Sequence, residues 1–281
     1  MERAVLVTGA SSGIGAASAL ALAERGFTVF AGVRRRSDGA GLAPSRERIR
    51  TLELDVTDAA QIESATRSIA ACALPLHAVV NNAGIAVPGP LEMLRLEEIR
   101  HQYEVNVFGA LAVTKAFLEP LRAAHGRVIF VGSIGGRLSV PALAAYNSSK
   151  AALRFLADAL RMELKSSGIE VALVEPGGVK TPIWSKGRAW KDELLARAGT
   201  EAATRYHAMT ERLVKISSSE ERNGLAPEVV ADVVLHAVCA HKPRARYVLG
   251  RRARIQAIVS LLPAELREAI VMRLMGISSG E

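Results

Sequence analysis

The sequence predicts a single α/β domain in which helices flank a doubly wound, seven-stranded parallel sheet. Three observations support this fold class. Short apolar runs rich in β-branched residues recur along the chain, segments with helical spacing separate them, and no linker-like segment interrupts the alternation. This order is typical of parallel strands joined by right-handed helical crossovers. With 281 residues, of which 49% are hydrophobic, the chain is long enough to bury one large core.

The predicted strands and helices alternate from the N-terminus to the last strand. Strands are predicted over residues 4–7, 28–33, 51–54, 78–80, 128–131, 170–174 and 247–249. Helices are predicted over residues 14–25, 59–72, 97–123, 146–166 and 227–240. Gly26 and Gly168 end two of these helices, and Pro227 suits a first helical turn, where its missing N–H costs nothing.

Two regions depart from this alternation of strands and helices. Residues 184–224 are polar and charged and carry two tryptophans, so we interpret them as a lid within a main domain of residues 1–250. Residues 251–281 are expected to form a helical extension packed on the same domain, with a break at Pro263. Arginines accompany the apolar face of this extension, but such helices more often dock on their own protein, so membrane association is the less favoured interpretation.

Composition excludes several classes of function. The net charge of +8 raises the question of nucleic-acid binding, but no recognition motif is present and aromatic residues are only 4%, so we expect none. Cys72 and Cys239 are too few for a disulfide framework, and neither a signal peptide nor a long apolar run is evident. These observations predict a cytoplasmic protein. The histidines form no metal-binding pattern, so no metal site is expected.

A glycine-rich turn connects the first predicted strand to the first helix. Glycines allow a tight turn there, and the helix N-terminus that follows offers unpaired N–H groups and a positive dipole end to a pyrophosphate. Any sharp strand-to-helix turn can use glycine, but this one stands at the first βα turn of the chain. The candidate dinucleotide-binding residues of the turn are Gly9, Ser11, Ser12, Gly13, Ile14 and Gly15.

Tyr146 and Lys150 are candidates for acid–base chemistry. They lie four residues apart, which places a phenol and an ammonium on one face of the predicted helix. A positive neighbour favours the phenolate and is expected to lower the pKa of the tyrosine from its usual value of about 10. Ser133 ends the fifth strand, and Asn106 interrupts an apolar helical stretch. A surface pair, a turn serine and a satisfied core asparagine are the alternative interpretations.

These motifs together resemble the classical short-chain dehydrogenase/reductase family. The turn from Thr8 to Gly15 matches its TGxxxGxG pattern, and the segment containing Asn82, Ala83 and Gly84 matches its NNAG motif. The resemblance implies a Rossmann-type catalytic domain and a catalytic tetrad of Asn106, Ser133, Tyr146 and Lys150, in which Tyr146 is the acid/base. It also implies cofactor contacts from Asp55, Val56, Asn82, Ala83, Gly84, Tyr146, Lys150, Pro176, Gly177, Val179 and Thr181.

The end of the second strand predicts which nicotinamide cofactor is used. An acidic residue there holds a ribose without a 2′-phosphate, whereas an arginine accommodates the phosphate. Val33 and Arg34 stand at these positions, so NADP(H) is predicted and NAD(H) is the alternative. In that alternative, Arg34 and its neighbours are only a basic loop.

The resemblance also implies a substrate class and an assembly. The C-terminal part is similar to bacterial members near retinol and 17β-hydroxysteroid dehydrogenases, which implies a hydrophobic ketone or aldehyde, or a secondary alcohol, of steroid, retinoid or lipid type. The helices over 97–123 and 146–166 are similar to those through which family members pair, so a homodimer or homotetramer is expected. A non-catalytic dinucleotide-sensing or scaffold protein is the competing hypothesis, because fold alone does not prove catalysis. Nucleotide-sugar epimerisation ranks lower.

Overall fold

A parallel sheet of seven strands forms the centre of the protein. The computed structural model describes residues 2–45 and 47–276. The strands are β1 (Ala4–Thr8), β2 (Thr28–Val33), β3 (Ile49–Glu53), β4 (Leu76–Asn81), β5 (Arg127–Val131), β6 (Glu170–Pro176) and β7 (Arg246–Leu249). Their order is β3-β2-β1-β4-β5-β6-β7, and every neighbouring pair is parallel. The order reverses between β1 and β4, which is where open sheets of this kind bind ligands.

Helices cover both faces of the sheet, which confirms the predicted doubly wound fold. The helices are α1 (Gly13–Glu24), α2 (Ala59–Ala70), α3 (Leu96–Tyr103), α4 (Ala110–Ala116), α5 (Leu118–Ala123), α6 (Ala144–Glu163), α7 (Ile183–Arg197), α8 (Thr200–Arg205), α9 (His207–Asn223), α10 (Pro227–Cys239), α11 (Arg251–Val259) and α12 (Ala264–Met275). Alternate residues of β1 point to opposite faces. Val5 and Val7 pack with α1 and α10, whereas Leu6 packs with α2, α4 and α6.

The helix predicted over residues 97–123 is wrong as a single helix. A π-helical segment, Glu104–Gly109, separates α3 from α4, and Phe117 separates α4 from α5. The second break has a local cause, since Pro120 has no N–H to donate and is tolerated only in the first turn of a new helix. The other predicted elements are displaced by only a few residues; for example, the third strand begins at Ile49.

The region predicted as a lid consists of α7, α8 and α9, and it is tied to the body of the protein. The Arg197 guanidinium donates hydrogen bonds to both carboxylate oxygens of Glu98 on α3, which is 4% exposed. Leu194 packs beside Leu94 and Val87. These contacts hold α7 against α3, so α7 is packed on the rest of the protein.

The C-terminal helices α11 and α12 pack on the same body. Pro263 immediately precedes α12, so the break predicted from the sequence falls between the two helices. Val271 and Met275 on α12 pack against Leu138 in the segment after β5. Among the residues described, no helix is both long enough and apolar enough to cross a membrane.

Candidate active site

Close packing of the turn between β1 and α1 requires its glycines. Gly9 and Gly13 have φ values of +64° and +55°, which strain other residues. A Cβ on Gly15 would lie 2.2 Å from the Gly9 carbonyl oxygen, and one on Gly9 would lie 2.8 Å from the Ala83 Cα. A Cβ on Gly13 would lie 2.8 Å from Thr181 Cγ2. The turn is therefore seated between the ends of β4 and β6.

The N-terminus of α1 presents donors suited to a dinucleotide pyrophosphate. Its N-cap residue, Ser12, makes no side-chain capping hydrogen bond, and the first turn carries no acidic residue. The first N–H groups of such a helix lack intrahelical partners and lie at the positive end of its dipole. Ser11 and Ser12 are exposed, and Ile14 is partly buried beside them. These features fit the nicotinamide dinucleotide implied by the sequence, with its phosphates over the turn.

Asn82 and Ala83 hold the glycine turn in place through Thr8. The backbone N–H groups of Asn82 and Ala83 each donate to Thr8 Oγ1 at 3.0 Å. The Asn82 amide donates to the Thr8 and Gly9 carbonyl oxygens at 3.0 and 3.1 Å. Thr8 was not among the predicted site residues, although it directly precedes Gly9 in the recognised pattern.

Arg34 follows β2 and Asp55 follows β3, and their charges are close enough to interact. Asp55 accepts hydrogen bonds from the Thr57 N–H at 2.9 Å and its hydroxyl at 2.7 Å. Burial acts to raise the pKa of Asp55, but these bonds and the charge of nearby Arg34 give a net lowering. Val56 is buried beside it. Arg35 instead pairs with Asp38 at 3.1 Å.

The segment after β6 lies beside the glycine turn. Gly177 donates its N–H to the Leu249 carbonyl at 3.0 Å, next to Pro176 at the end of the strand. The Val179 carbonyl accepts a hydrogen bond from the Trp184 indole at 2.7 Å, which connects this segment to α7. With Thr181 against Gly13, these predicted residues lie beside the glycine turn.

Ser133, Tyr146 and Lys150 converge at the carboxyl end of β5. Ser133 follows the strand, and its Oγ accepts the Gly135 N–H at 3.1 Å. The buried Lys150 ammonium lies 5.9 Å from the centre of the Tyr146 ring and donates to the Val131 carbonyl at 3.0 Å. A Cβ on Gly84 would lie 3.5 Å from Lys150 Nζ, so the ammonium lies close to the NNAG loop.

Burial sets the protonation of both groups. It raises the pKa of the Tyr146 phenol, and the neighbouring Ser133 hydroxyl opposes this only in part. Burial lowers the pKa of the Lys150 ammonium from 10.5 to about 8. The sequence predicted a lowered pKa for Tyr146, and the net shift here runs the other way because desolvation outweighs the stabilising neighbours. The phenol is therefore protonated near neutral pH, which is the form that donates a proton.

Asn106 lies in the π-helical segment and is fully hydrogen-bonded. Its Oδ1 accepts the Ile85 N–H at 2.9 Å, and its Nδ2 donates to the Ile85 carbonyl and to Ser149 Oγ, both at 3.0 Å. Segments of π-helix are often found at functional sites. Here the segment places Asn106 against both the NNAG loop and α6, so it braces the helix that carries Tyr146 and Lys150.

An ion pair that sequence reasoning missed joins the two strand ends. The Arg137 Nε donates to Glu175 at 2.9 Å, and the Glu175 side chain is only 1% exposed. Arg137 follows Ser133 in the same segment, and Glu175 directly precedes Pro176. No local pattern could have paired residues that lie 38 positions apart.

A pocket of about 250 Å³ lies between the segment after Ser133 and α12. Val140, Pro141, Val271 and Met272 supply its apolar wall, and Arg267 and Glu268 lie at its edge. The described residues contain no group of three or more histidine, cysteine or acidic side chains arranged to hold a metal ion.

Comparisons with known proteins identify the family to which this chain belongs. A model of the short chain dehydrogenase family matches residues 3–192. The chain is 36% identical, over 95% of each protein, to the NADPH-dependent 3-dehydrocapnine reductase of Ornithobacterium rhinotracheale. It is 34% identical to estradiol 17-beta-dehydrogenase 2 of Mus musculus, over 97% of this chain and 74% of that protein.

Solved structures confirm the fold. A short chain dehydrogenase from Burkholderia cenocepacia, in complex with NADP, superposes with a TM-score of 0.74 at 27% identity and covers 97% of both chains. The mouse relative also confirms the predicted nearness to hydroxysteroid dehydrogenases. The chain therefore belongs to the short-chain dehydrogenase family and is an oxidoreductase that acts on hydroxyl or keto groups.

Proposed function

We propose that this protein is an NADP(H)-dependent oxidoreductase that interconverts a hydrophobic ketone or aldehyde and the corresponding alcohol. The observation that carries the proposal is the convergence of Ser133, Tyr146 and Lys150 beside the uncapped N-terminus of α1. A proton donor and a dinucleotide-binding turn thus share one edge of the sheet. The nicotinamide, when bound, supplies or accepts the hydride.

The side chains have separate tasks in this reaction. The Ser133 and Tyr146 hydroxyls hold the substrate oxygen, since the two groups are neighbours in the site. During reduction the protonated phenol gives its proton to the developing alkoxide, and during oxidation the phenolate form takes it back. Lys150 would hold the nicotinamide ribose and would supply a positive charge that favours the phenolate. Asn106 braces α6 through its hydrogen bonds to Ile85 and Ser149.

Arg34 supports the choice of NADP(H). It is exposed at the end of β2, its charge helps to lower the pKa of Asp55, and its side chain has no hydrogen-bond or ion-pair partner within residues 2–45 and 47–276. A free guanidinium at this position suits a 2′-phosphate. The names of the Ornithobacterium and Burkholderia proteins specify NADPH and NADP, which agrees with this choice. NAD(H) remains the alternative if Arg34 only forms part of a basic loop.

Apolar residues in the segment after Ser133 support a hydrophobic substrate. This segment and α12 line a pocket with apolar side chains that include Val140 and Val271, and with the polar side chains of Ser139, Arg267 and Glu268. An apolar wall with a few convergent polar groups is typical of sites for lipophilic small molecules. The mouse relative is named for estradiol, which is consistent with a substrate of steroid, retinoid or lipid type.

We also propose a homodimer or homotetramer that forms through α4 and α6, and a cytoplasmic location. Three large apolar side chains on and next to these helices are half or more exposed: Phe108, Phe155 and Met162. Phe155 and Met162 are seven residues apart and share one face of α6. Burying such a face against a second copy removes it from water. Light scattering coupled to size-exclusion chromatography would measure the assembly.

Removal of a single hydroxyl tests the catalytic proposal. We expect Tyr146→Phe to lower kcat for a hydrophobic ketone at least about 100-fold, because general acid catalysis contributes about that much. The dissociation constant for NADPH, measured by nicotinamide fluorescence, should stay within about twofold. Tyr103→Phe is the matched control, since it removes the same atom outside the site. Wild-type turnover in Tyr146→Phe would refute the mechanism.

The same titration separates the two cofactors and the sensor hypothesis. Arg34→Ser should weaken NADPH about tenfold, as expected for loss of a charged hydrogen bond, and leave NADH nearly unchanged. Arg35→Ser is the control, because Arg35 is paired with Asp38. Tighter binding of NADH by the wild type would contradict the role of Arg34. Tight NADPH binding without turnover of any carbonyl compound would favour a dinucleotide sensor.

A further inference from the structure

The outer surface of the C-terminal helices exposes large aliphatic side chains. Five are half or more exposed, and Leu261 in the turn between α11 and α12 reaches 82%. They are Ile255, Ile258, Leu261, Leu266 and Leu274. Isolated exposed aliphatics are normal on a protein surface, but five within twenty residues form a patch that needs an explanation.

Helical geometry shows that this patch is separate from the face that packs on the protein. On α11 the inward position is Ala253, which is fully buried, and Ile255 and Ile258 lie on roughly the opposite side. On α12 the inward positions are Val271 and Met275. Leu266 lies about 140° around the helix from Val271, whereas Leu274 lies about 60° from it, at the border of the packed face. The helices are thus held by one face and leave an aliphatic face outside.

Arginines share this outer face. Residues 251–276 contain five arginines and two glutamates. Arg251, Arg254 and Arg273 are exposed, and their side chains have no hydrogen-bond or ion-pair partner among the described residues. Long arginine side chains can lie along apolar surface while the guanidinium reaches a polar layer. Aliphatic tips with flanking arginines match the layering of a bilayer surface, in which anionic headgroups lie above acyl chains.

We propose that α11, the turn at Leu261 and α12 form a docking surface for an anionic lipid bilayer. A second copy of this chain is a poorer occupant, because residues 251–276 carry five arginines and only two glutamates, so a two-fold interface would bring two net positive surfaces together. An acidic protein is also a poorer occupant, since residues 251–276 contain no aromatic residue, and aromatic side chains usually anchor protein interfaces. The docking does not depend on the identity of the substrate.

Vesicle co-sedimentation of the full-length, NADPH-loaded protein tests the docking. We expect binding to vesicles of phosphatidylcholine with about 30% phosphatidylglycerol and little binding to pure phosphatidylcholine, since arginines recognise the anionic surface. Raising the salt from about 0.1 M to about 0.5 M should weaken the binding, because it shortens the Debye length. Absence of binding, or equal binding to both vesicles, would overturn the proposal.

Two matched pairs of variants assign the binding to this surface. Leu261→Asn should lower the partition coefficient at least about tenfold, whereas Val229→Asn, at an exposed position of α10, should not change it. Arg251→Glu with Arg254→Glu should lower it at least about 25-fold, whereas Arg25→Glu with Lys165→Glu should have a smaller effect. NADPH affinity and the circular dichroism spectrum report that each variant is folded. If the patch variants change only the oligomeric state, the surface belongs to a second copy and the proposal fails.

Discussion

Replacing Lys150 by methionine is expected to stabilise the protein while abolishing its turnover. Methionine keeps the aliphatic length of the side chain and removes the buried ammonium. The pKa of Lys150 falls from 10.5 to about 8, and each unit corresponds to about 1.4 kcal/mol, so the buried charge costs about 3 kcal/mol near neutral pH. Loss of the hydrogen bond to the Val131 carbonyl offsets about 1 kcal/mol. The expected net gain in the free energy of unfolding is about 2 kcal/mol at pH 7.

The sign of the pH dependence follows from proton linkage. Between pH 8 and pH 10.5 the unfolded chain holds the Lys150 proton while the folded chain has released it. The unfolded state thus binds more protons there, so the stability contributed by this group rises with pH. The buried ammonium destabilises the folded state by its full amount below about pH 8, the pKa of Lys150 in the folded protein. This destabilisation disappears above pH 10.5, the pKa in the unfolded chain. The advantage of Lys150→Met over the wild type should therefore shrink as pH rises through this window.

Urea unfolding of the cofactor-free protein at several pH values between 7 and 10 measures this difference. Lys165→Met is the control, because Lys165 is exposed and its replacement removes no buried charge. A variant that is less stable than the wild type at pH 7 would refute the reasoning, and so would a stability difference that does not change with pH. Turnover of the variant, measured alongside, reports whether function requires the destabilising charge.

Three further substitutions test contacts that hold the site together. Arg137→Leu should destabilise the fold by about 3 kcal/mol because Glu175 is left buried without its partner, and the double variant Arg137→Leu with Glu175→Leu should recover most of this in urea unfolding. Glu98→Gln should cost about 1–2 kcal/mol and speed tryptic cleavage within α7–α9, because Arg197 loses a charged partner; Glu97→Gln is its exposed control. Asn106→Ala removes three hydrogen bonds, so it should lower thermal stability by about 2 kcal/mol and slow turnover, and unchanged values of both would contradict its bracing role.

The fold class could be predicted from the sequence because its signals are local. A strand buried on both faces needs a continuous apolar run, and a crossover helix needs helical spacing, so the alternation is visible without tertiary information. The same is true of the glycine turn, since Gly9 and Gly13 adopt backbone conformations that glycine favours. The pair of Tyr146 and Lys150 was predictable because four residues span about one helical turn.

Other features required the three-dimensional arrangement of distant segments. The helix over 97–123 looked continuous from its apolar spacing, yet a π-helical segment interrupts it and brings Asn106 to Ile85 and Ser149. The wall that α12 contributes to the pocket joins residues more than a hundred positions apart. Neither contact leaves a local pattern.

The protonation of the ionisable groups in the site also depends on the tertiary structure. The sequence determined which ionisable groups stand near each other, namely Tyr146 and Lys150 on one helix and Arg34 at the end of β2. Only the tertiary structure decided how deeply each group is buried and that Arg35, rather than Arg34, pairs with Asp38. Because desolvation depends on every segment packed around a group, it raised the pKa of Tyr146 where the neighbouring ammonium alone predicted a decrease.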